Sequence, residues 1–272
     1  MTSAAGLAAA ASAAGPGAAA AVDSEPGGFK LGVASYSFRE FQRVAMIRQM
    51  KELEIPYLSI KEFHLPYSSS PEEFVRARKE FDAAGLKIVS GGVITLAKND
   101  EADVRKYFEY AKAAGMPMIV CAPTHDNVRH LDKLTKEYGI RAAIHNHGPE
   151  DKNFPSPQSV LEAIKDLNPM VGLCMDIGHS SRAGADILAS IRQAGSRLIE
   201  VHIKDLKVAT DAGSLCAVGD GVLPIVPMFQ LLRKTGFTGC VNLEYEIHAD
   251  TPLPGMLKSF GYMRGVLAGL KG

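Results

Sequence analysis

An excess of either charge is missing from this chain: 30 lysines and arginines face 30 aspartates and glutamates in 272 residues. Without a basic surplus there is no electrostatic footprint for nucleic acid or an anionic membrane, so a small-molecule partner is expected. Cysteine is scarce and unclustered. Cys121, Cys174, Cys216 and Cys240 show no CxxC spacing and three lie in apolar, strand-like runs. Buried free thiols are therefore expected rather than a disulfide scaffold. Basic residues are absent before Lys30, and no glycine-rich turn follows the first strand-like run, which leads into Ser35-Tyr36-Ser37-Phe38-Arg39. An open doubly wound sheet would normally place a phosphate-binding glycine turn there. What is present is an ordinary globular composition, 46% hydrophobic, on a chain long enough for one large domain.

Residues 1–28 stand apart. They are almost entirely Ala, Gly and Ser, and the pattern changes abruptly at Phe29. The stretch has no polar face for a surface helix of the domain. It resembles the apolar centre and small-residue cleavage region of an export signal, with Ala18 to Val22 as cleavable residues and no basic start. A start codon assigned too late would explain the missing basic residues. The other reading is a disordered tail, and a stable membrane span is not expected. Export to the periplasm or beyond follows from the first reading, a cytoplasmic location from the second.

From Lys30 onward, strand-like and helix-like segments alternate. Strands are expected at 31–38, 57–63, 87–95, 118–122, 142–147, 172–176, 198–204 and 240–246. Helices are expected at 44–54, 71–84, 101–114, 127–138, 157–166, 185–194, 223–235 and 254–270. Ser70-Pro71-Glu72-Glu73 places a capping hydroxyl, a proline at the first helical position and acids in the first turn, and Ser156-Pro157 repeats the start. Gly85, Gly115, Gly139, Gly195 and Gly236 follow helical windows, as left-handed caps do. Eight such units with short connections predict an α/β fold, a single-domain (β/α)8 TIM barrel over residues 29–272.

Four strand-like runs end in metal-ligand side chains: Ile144-His145-Asn146-His147, Met175-Asp176, Val201-His202, and Leu243-Glu244-Tyr245-Glu246. In a barrel these would be the ends of strands five to eight, on the face where loops build active sites. Alternation lets His145 and His147 face the pocket together while Asn146 points elsewhere, and it links Glu244 with Glu246. One imidazole from each of two strands and one carboxylate from each of two others make a mixed nitrogen and oxygen site. Such a site suits Mn²⁺, Co²⁺, Zn²⁺, Fe²⁺ or Mg²⁺. The expected ligands are His145, Asp176, His202 and Glu244, with His147 the alternative to His145 on the fifth strand.

The pattern resembles the xylose isomerase-like TIM-barrel superfamily, the sugar phosphate isomerases and epimerases. Asp176-Ile177-Gly178-His179 is similar to its D-x-G-H element, His202-Ile203-Lys204-Asp205 to its H-x-K-D element, and Leu243-Glu244-Tyr245-Glu246 to its terminal Glu strand. The resemblance spans nearly all of the chain after Gly28. It implies Asp176, His202 and Glu244 as metal ligands, with His179 and Lys204 contacting substrate hydroxyls. Relatives are often dimers or tetramers, so it also implies a homo-oligomer. The departure is His145, where sugar epimerases of the group carry a second glutamate. Their chemistry uses two metal-bound glutamates on opposite faces of the substrate, and here only Glu244 is in place. A His145 and Glu244 pair would serve as base and acid if the imidazole keeps a pKa near 6.5.

Other strand ends supply further candidates. Glu62 and His64, after the second run, are candidate substrate contacts beside Glu246, while Lys61 reads as a solvated charge. Phe38 and Arg39 are read as an apolar wall and an anion contact, Tyr36 as barrel filling, and Glu150 and Lys152 as loop residues able to reach substrate. Asp205 is expected to orient a ligand, and Gly219-Asp220-Gly221 to be a loop that closes over substrate. The functional expectation is a divalent-metal-dependent enzyme that enolises a carbohydrate next to its carbonyl, an isomerase or epimerase. The alternatives are a metal-dependent lyase or dehydratase on a keto-sugar or 3-keto-glycoside, a phosphodiesterase of the same fold, and a non-catalytic sugar-binding barrel.

Overall fold

The computed structural model describes residues 28–270. The expectation of an export signal falls on residues outside that range. Among the described residues the strands and α-helices run in the order β1 (Lys30–Ala34), α1 (Arg43–Leu53), β2 (Tyr57–Ile60), α2 (Pro71–Ala83), β3 (Lys87–Leu96), α3 (Glu101–Ala114), β4 (Met118–Pro123), α4 (Val128–Tyr138), β5 (Arg141–His145), α5 (Pro157–Ile164), β6 (Val171–Asp176), α6 (Ile177–Arg182), α7 (Ile187–Ala194), β7 (Leu198–Ile203), β8 (Asp205–Leu206), β9 (Leu215–Cys216), α8 (Ile225–Lys234), β10 (Cys240–Leu243) and α9 (Leu253–Gly269). Eight of the strands close a parallel barrel in the order β1-β10-β7-β6-β5-β4-β3-β2, and β8 and β9 form a separate antiparallel ribbon. No helix among the described residues is long and apolar enough to cross a membrane.

The local signals act as expected. Ser70 accepts from the Glu73 amide, and Ser156 forms a reciprocal capping box with Ser159. Gly115 and Gly139 close α3 and α4 with positive φ. Helix faces bury residues at helical spacing, such as Met46, Met50 and Leu53 on α1 and Ile225, Met228, Phe229 and Leu232 on α8. Each such side chain contributes roughly 1.5–3 kcal/mol relative to exposure. The main core therefore lies between strands and helices, while Met118, Val120, Ala143, Cys174 and Ile199 form a smaller cluster inside the barrel.

Boundaries differ from the sequence expectation where polar chemistry begins. The first strand stops at Ala34, and Ser35–Phe38 turns into a 3-10 helix. β2, β5 and β10 stop at Ile60, His145 and Leu243, so Lys61, Glu62, His147, Glu244 and Glu246 lie just beyond their ends. Residues 177–182 form α6 directly after β6, a helix that the sequence reading lacked. All four cysteines are buried and free.

Candidate metal centre

Register sets the site. His145 pairs in level with Cys174, and Asp176 and Asn242 both pair with His202. The strands of such barrels are tilted, so residues from successive levels meet at one height. One ligand atom from each of His145, Asp176, His202 and Glu244 lies within 4.8 Å of the others. A second grouping, His145, Cys174 and His202, sits deeper along the same strands.

The side chains of Asp176 and His202 are held from outside the centre. Asp176 ends β6 and caps α6: its Oδ1 accepts from the His179 amide at 2.8 Å, leaving Oδ2 turned to the centre. Asn146 fixes that turn. Its Oδ1 accepts from the Asp176 amide at 3.1 Å, and its Nδ2 donates to the Asp176 carbonyl and to Ser180 Oγ. His202 Nε2 stands 3.1 Å from Glu200 Oε1, which leaves Nδ1 toward Glu244. The Glu244 amide donates to the Ile203 carbonyl, carrying the β10–β7 pairing one residue past the strand.

The polar atoms that converge are poorly satisfied by the protein itself. His145 Nδ1 and Nε2, Asp176 Oδ2 and His202 Nδ1 are buried without a hydrogen-bond partner. His145 Nε2 lies 3.6 Å from Asp176 Oδ2, and His202 Nδ1 lies 3.6 Å from Glu244 Oε2. These separations exceed a hydrogen bond and match two donors sharing one ion at bond lengths of about 2.0–2.2 Å. Buried polar groups need partners, so the donor set fits a divalent cation. Lys204 brings a buried ammonium to the centre. Its Nζ is 3.0 Å from Asp176 Oδ2, 3.0 Å from Glu244 Oε2 and 2.5 Å from Glu246 Oε1. Its stem passes Gly178 so closely that a Cβ there would lie 2.5 Å from Lys204 Cγ, which is why D-x-G-H needs its glycine.

Electrostatics sort the titratable groups. Burial, with the His147 imidazole beside it, pushes His145 down to about 3, so it stays neutral, as coordination requires. That displaces the ordinary value on which its reading as a base depended. Burial disfavours the charge on Asp176 and on Glu244, but the Lys204 ammonium together with the surrounding imidazoles outweighs it, and both are held well below the usual carboxylate range. Burial likewise opposes the charge on Lys204, and Asp176, Glu244 and Glu246 outweigh it and raise the ammonium well above its usual value. Glu246 is raised by burial despite Lys204. His147 and His179 are both lowered, chiefly by burial.

A cavity of about 260 Å³ opens over the centre, lined by Tyr36, Lys61, Val93, Thr95, His145, His147, His179, Glu244 and Glu246. His147 packs against His145, with ring centroids 4.4 Å apart, and lies 3.5 Å from Asp151. It is outside the four-residue group, so the geometry brings His145, not His147, into the ligand cluster.

Several expected residues stand elsewhere. Glu62 pairs with Lys61 and Tyr67 outside the cavity wall, and His64 is buried against Ser35 Oγ and the Phe41 carbonyl. Lys61, read as a solvated charge, lines the cavity instead, as does Tyr36, read as barrel filling. Alternation from Tyr57 and Ser59 held that signal, because it turns Lys61 inward and Glu62 outward. Phe38 is core rather than wall, and Arg39 is spent on the Tyr36 and Glu246 carbonyls. Glu150 pairs with Arg182, which also contacts His179 Nδ1 at 3.1 Å, and Lys152 is not among the cavity-lining residues. Asp205 orients no ligand. Its carboxylate accepts the amides of Leu206, Gly219, Gly221 and Leu223 and so ties down the loop expected to close over substrate. Glu200, fully buried two residues before His202 and of the same parity, was passed over.

Known proteins share this architecture. The chain is 26% identical over 155 residues to an inosose dehydratase of Mesomycoplasma hyopneumoniae, covering 50% of this chain and 51% of that one. The chain spans about half the length of the curated relatives it matches. Among solved structures, 3-keto-D-glucoside 4-epimerase from E. coli superposes with a TM-score of 0.73 at 17% identity, covering 87% of this chain and 99% of that one. The IOLI protein with a bound zinc atom gives 0.73 at 17% identity over 89% and 99%. A family profile for the xylose isomerase-like TIM barrel matches residues 47–265. This chain belongs to the xylose isomerase-like TIM barrel family.

Proposed function

We propose that this protein is a divalent-metal-dependent carbohydrate enzyme that removes a proton next to a sugar carbonyl. The observation that carries it is the pair of buried imidazoles of His145 and His202, whose nitrogens facing the centre lack hydrogen-bond partners, beside the carboxylates of Asp176 and Glu244 and beneath a cavity lined by polar side chains. His145, Asp176, His202 and Glu244 would hold the ion, with Mn²⁺, Co²⁺, Zn²⁺, Fe²⁺ or Mg²⁺ compatible with the donor types. When bound, the ion would polarise a carbonyl or hydroxyl oxygen as a Lewis acid. His147, His179 and Lys61 line the cavity as hydrogen-bonding partners for sugar hydroxyls. Glu246 is the base we assign: it lines the cavity, lies outside the ligand group, and Lys204 holds its carboxylate.

Isomerase or epimerase chemistry returns the proton to carbon. Elimination is the second reading, and one observation favours it: His145 stands where a second carboxylate would serve the opposite face, and burial keeps it a weak base. In that case Glu246 takes the carbon-bound proton, the C–H electron pair becomes the new double bond, the C–O bond at the next carbon breaks, and the departing hydroxyl or glycosidic oxygen receives the proton that Glu246 took up. The relationship to inosose dehydratases supports this alternative.

The test is NMR of a keto-inositol and a 3-keto-glucoside incubated with Mn²⁺-loaded protein in D₂O, with manganese removed before spectra are taken. Deuterium entering the carbon beside the carbonyl supports the proposal. Inverted stereochemistry selects epimerisation, and loss of water or aglycone selects elimination. An enzyme that holds stoichiometric metal yet exchanges no proton on either substrate would sink the reading.

A further inference from the structure

We infer that Glu200 is a positioning residue that decides which nitrogen of His202 carries hydrogen, and so keeps Nδ1 open toward the metal. The inference rests on the metal-site reading above and assigns a role to a residue outside the ligand group.

Two carboxylates flank the His202 ring. Glu200 Oε1 lies 3.1 Å from Nε2, within hydrogen-bond range, whereas Glu244 Oε2 lies 3.6 Å from Nδ1, beyond it. The better acceptor is therefore on the side away from the centre. An imidazole that coordinates an ion through Nδ1 carries its hydrogen on Nε2, and a carboxylate accepting that hydrogen fixes ring orientation and strengthens the ligand.

Glu200 is itself held for the task. It is fully buried inside the barrel. Ser90 Oγ, 3.0 Å away, donates to the same Oε1, and Ser59 Oγ lies 2.7 Å from Ser90, placed to donate back to it. The chain Ser59, Ser90, Glu200, His202 runs across the interior from β2 through β3 to β7. Glu200 Oε2 has no hydrogen-bond partner. A buried carboxylate in a barrel interior is costly unless it is engaged, so its retention beside a ligand-bearing imidazole calls for a role. With Glu200 gone, the carboxylates left near the ring are those of the ligand group, Glu244 and Asp176, and Glu244 would draw the hydrogen to Nδ1, the atom the metal needs.

The test compares wild type, Glu200→Gln, Glu200→Leu and Asp176→Asn in Zn²⁺ affinity, by chelator competition, and in histidine ¹H–¹⁵N NMR of the zinc-loaded proteins. Wild type should show a slowly exchanging Nε2–H for His202. Glu200→Gln, which keeps an acceptor, should retain that resonance and bind zinc about tenfold more weakly; Glu200→Leu should lose it and bind about a hundredfold more weakly. If Glu200→Leu does not fold, the Gln variant decides: wild-type affinity in it overturns the inference. Zinc lost by Asp176→Asn but held at wild-type affinity by both Glu200 variants overturns the inference alone. Equal binding by wild type and Asp176→Asn overturns the metal site itself.

Discussion

The two halves of the barrel share one architecture and divide its labour. Strands β1 to β4 and strands β5, β6, β7 and β10 are all parallel, and the same kinds of serine and glycine caps bound their helices. In the second half, strand ends converge on His145, Asp176, His202, Lys204 and Glu244. In the first half, the ends supply cavity wall through Tyr36, Lys61, Val93 and Thr95, and His64, just past the end of β2, is turned into the loops. A barrel's symmetry thus gives every strand end the same opportunity, and side-chain chemistry alone decides which ends become a site.

The sharpest way to break this contrast is Asp176→Asn. The amide keeps the cap on α6 but removes a charged ligand, so metal affinity should fall about a thousandfold, some 4 kcal/mol, with circular dichroism unchanged. Retained metal after dialysis would erase the distinction between the halves. Next comes Lys204→Met. It strips the buried cation from Asp176, Glu244 and Glu246 and should destabilise the metal-free protein by about 4 kcal/mol in urea. Added Zn²⁺ should recover more stability in this variant than in wild type; equal urea midpoints for the metal-free proteins would show that the ammonium does not hold these acids.

A smaller effect belongs to the first half. Burial, opposed in part by its backbone contacts, lowers His64 to about 4. The unfolded chain takes up this proton near pH 6.5 while the folded one does not, so stability falls as pH drops through that window and levels below about 4. The loss is about 3 kcal/mol, full at the acid end and absent above pH 6.5. His64→Gln should flatten the stability profile between pH 6.5 and 4 by that amount, with metal binding intact. A profile that remains parallel to wild type would show that His64 titrates normally.

Much of this was legible before folding. The barrel followed from alternating periodicities and punctuating caps, since each unit's hydrophobic face and its Ser-Pro or Gly boundary are local properties. The site was legible from apolar runs ending in ligand residues. Where reading failed, it failed on direction. Taking the second run through Phe63 made Glu62 and His64 pocket candidates, although the strand ends at Ile60 and alternation puts Lys61 inside. Asp205 looked like a neighbour of ligands because it adjoins Lys204, but four backbone amides claim its carboxylate.

The sequence by itself determined the eight barrel strands and the helices between them, the four strand ends that carry candidate ligands and the neutral charge balance, because these depend on residue type and spacing. Only the tertiary structure decided that His145 and not His147 enters the cluster, that Lys204 sits between Asp176, Glu244 and Glu246, and that Glu200 stands behind His202 with Ser90 and Ser59. Those contacts depend on strand tilt, register and the β6–β7 irregularity, which bring together residues from 28 positions apart, as for Lys204 and Asp176, to 110 apart, as for Glu200 and Ser90. Burial then shifts their protonation, which no spacing in the chain encodes.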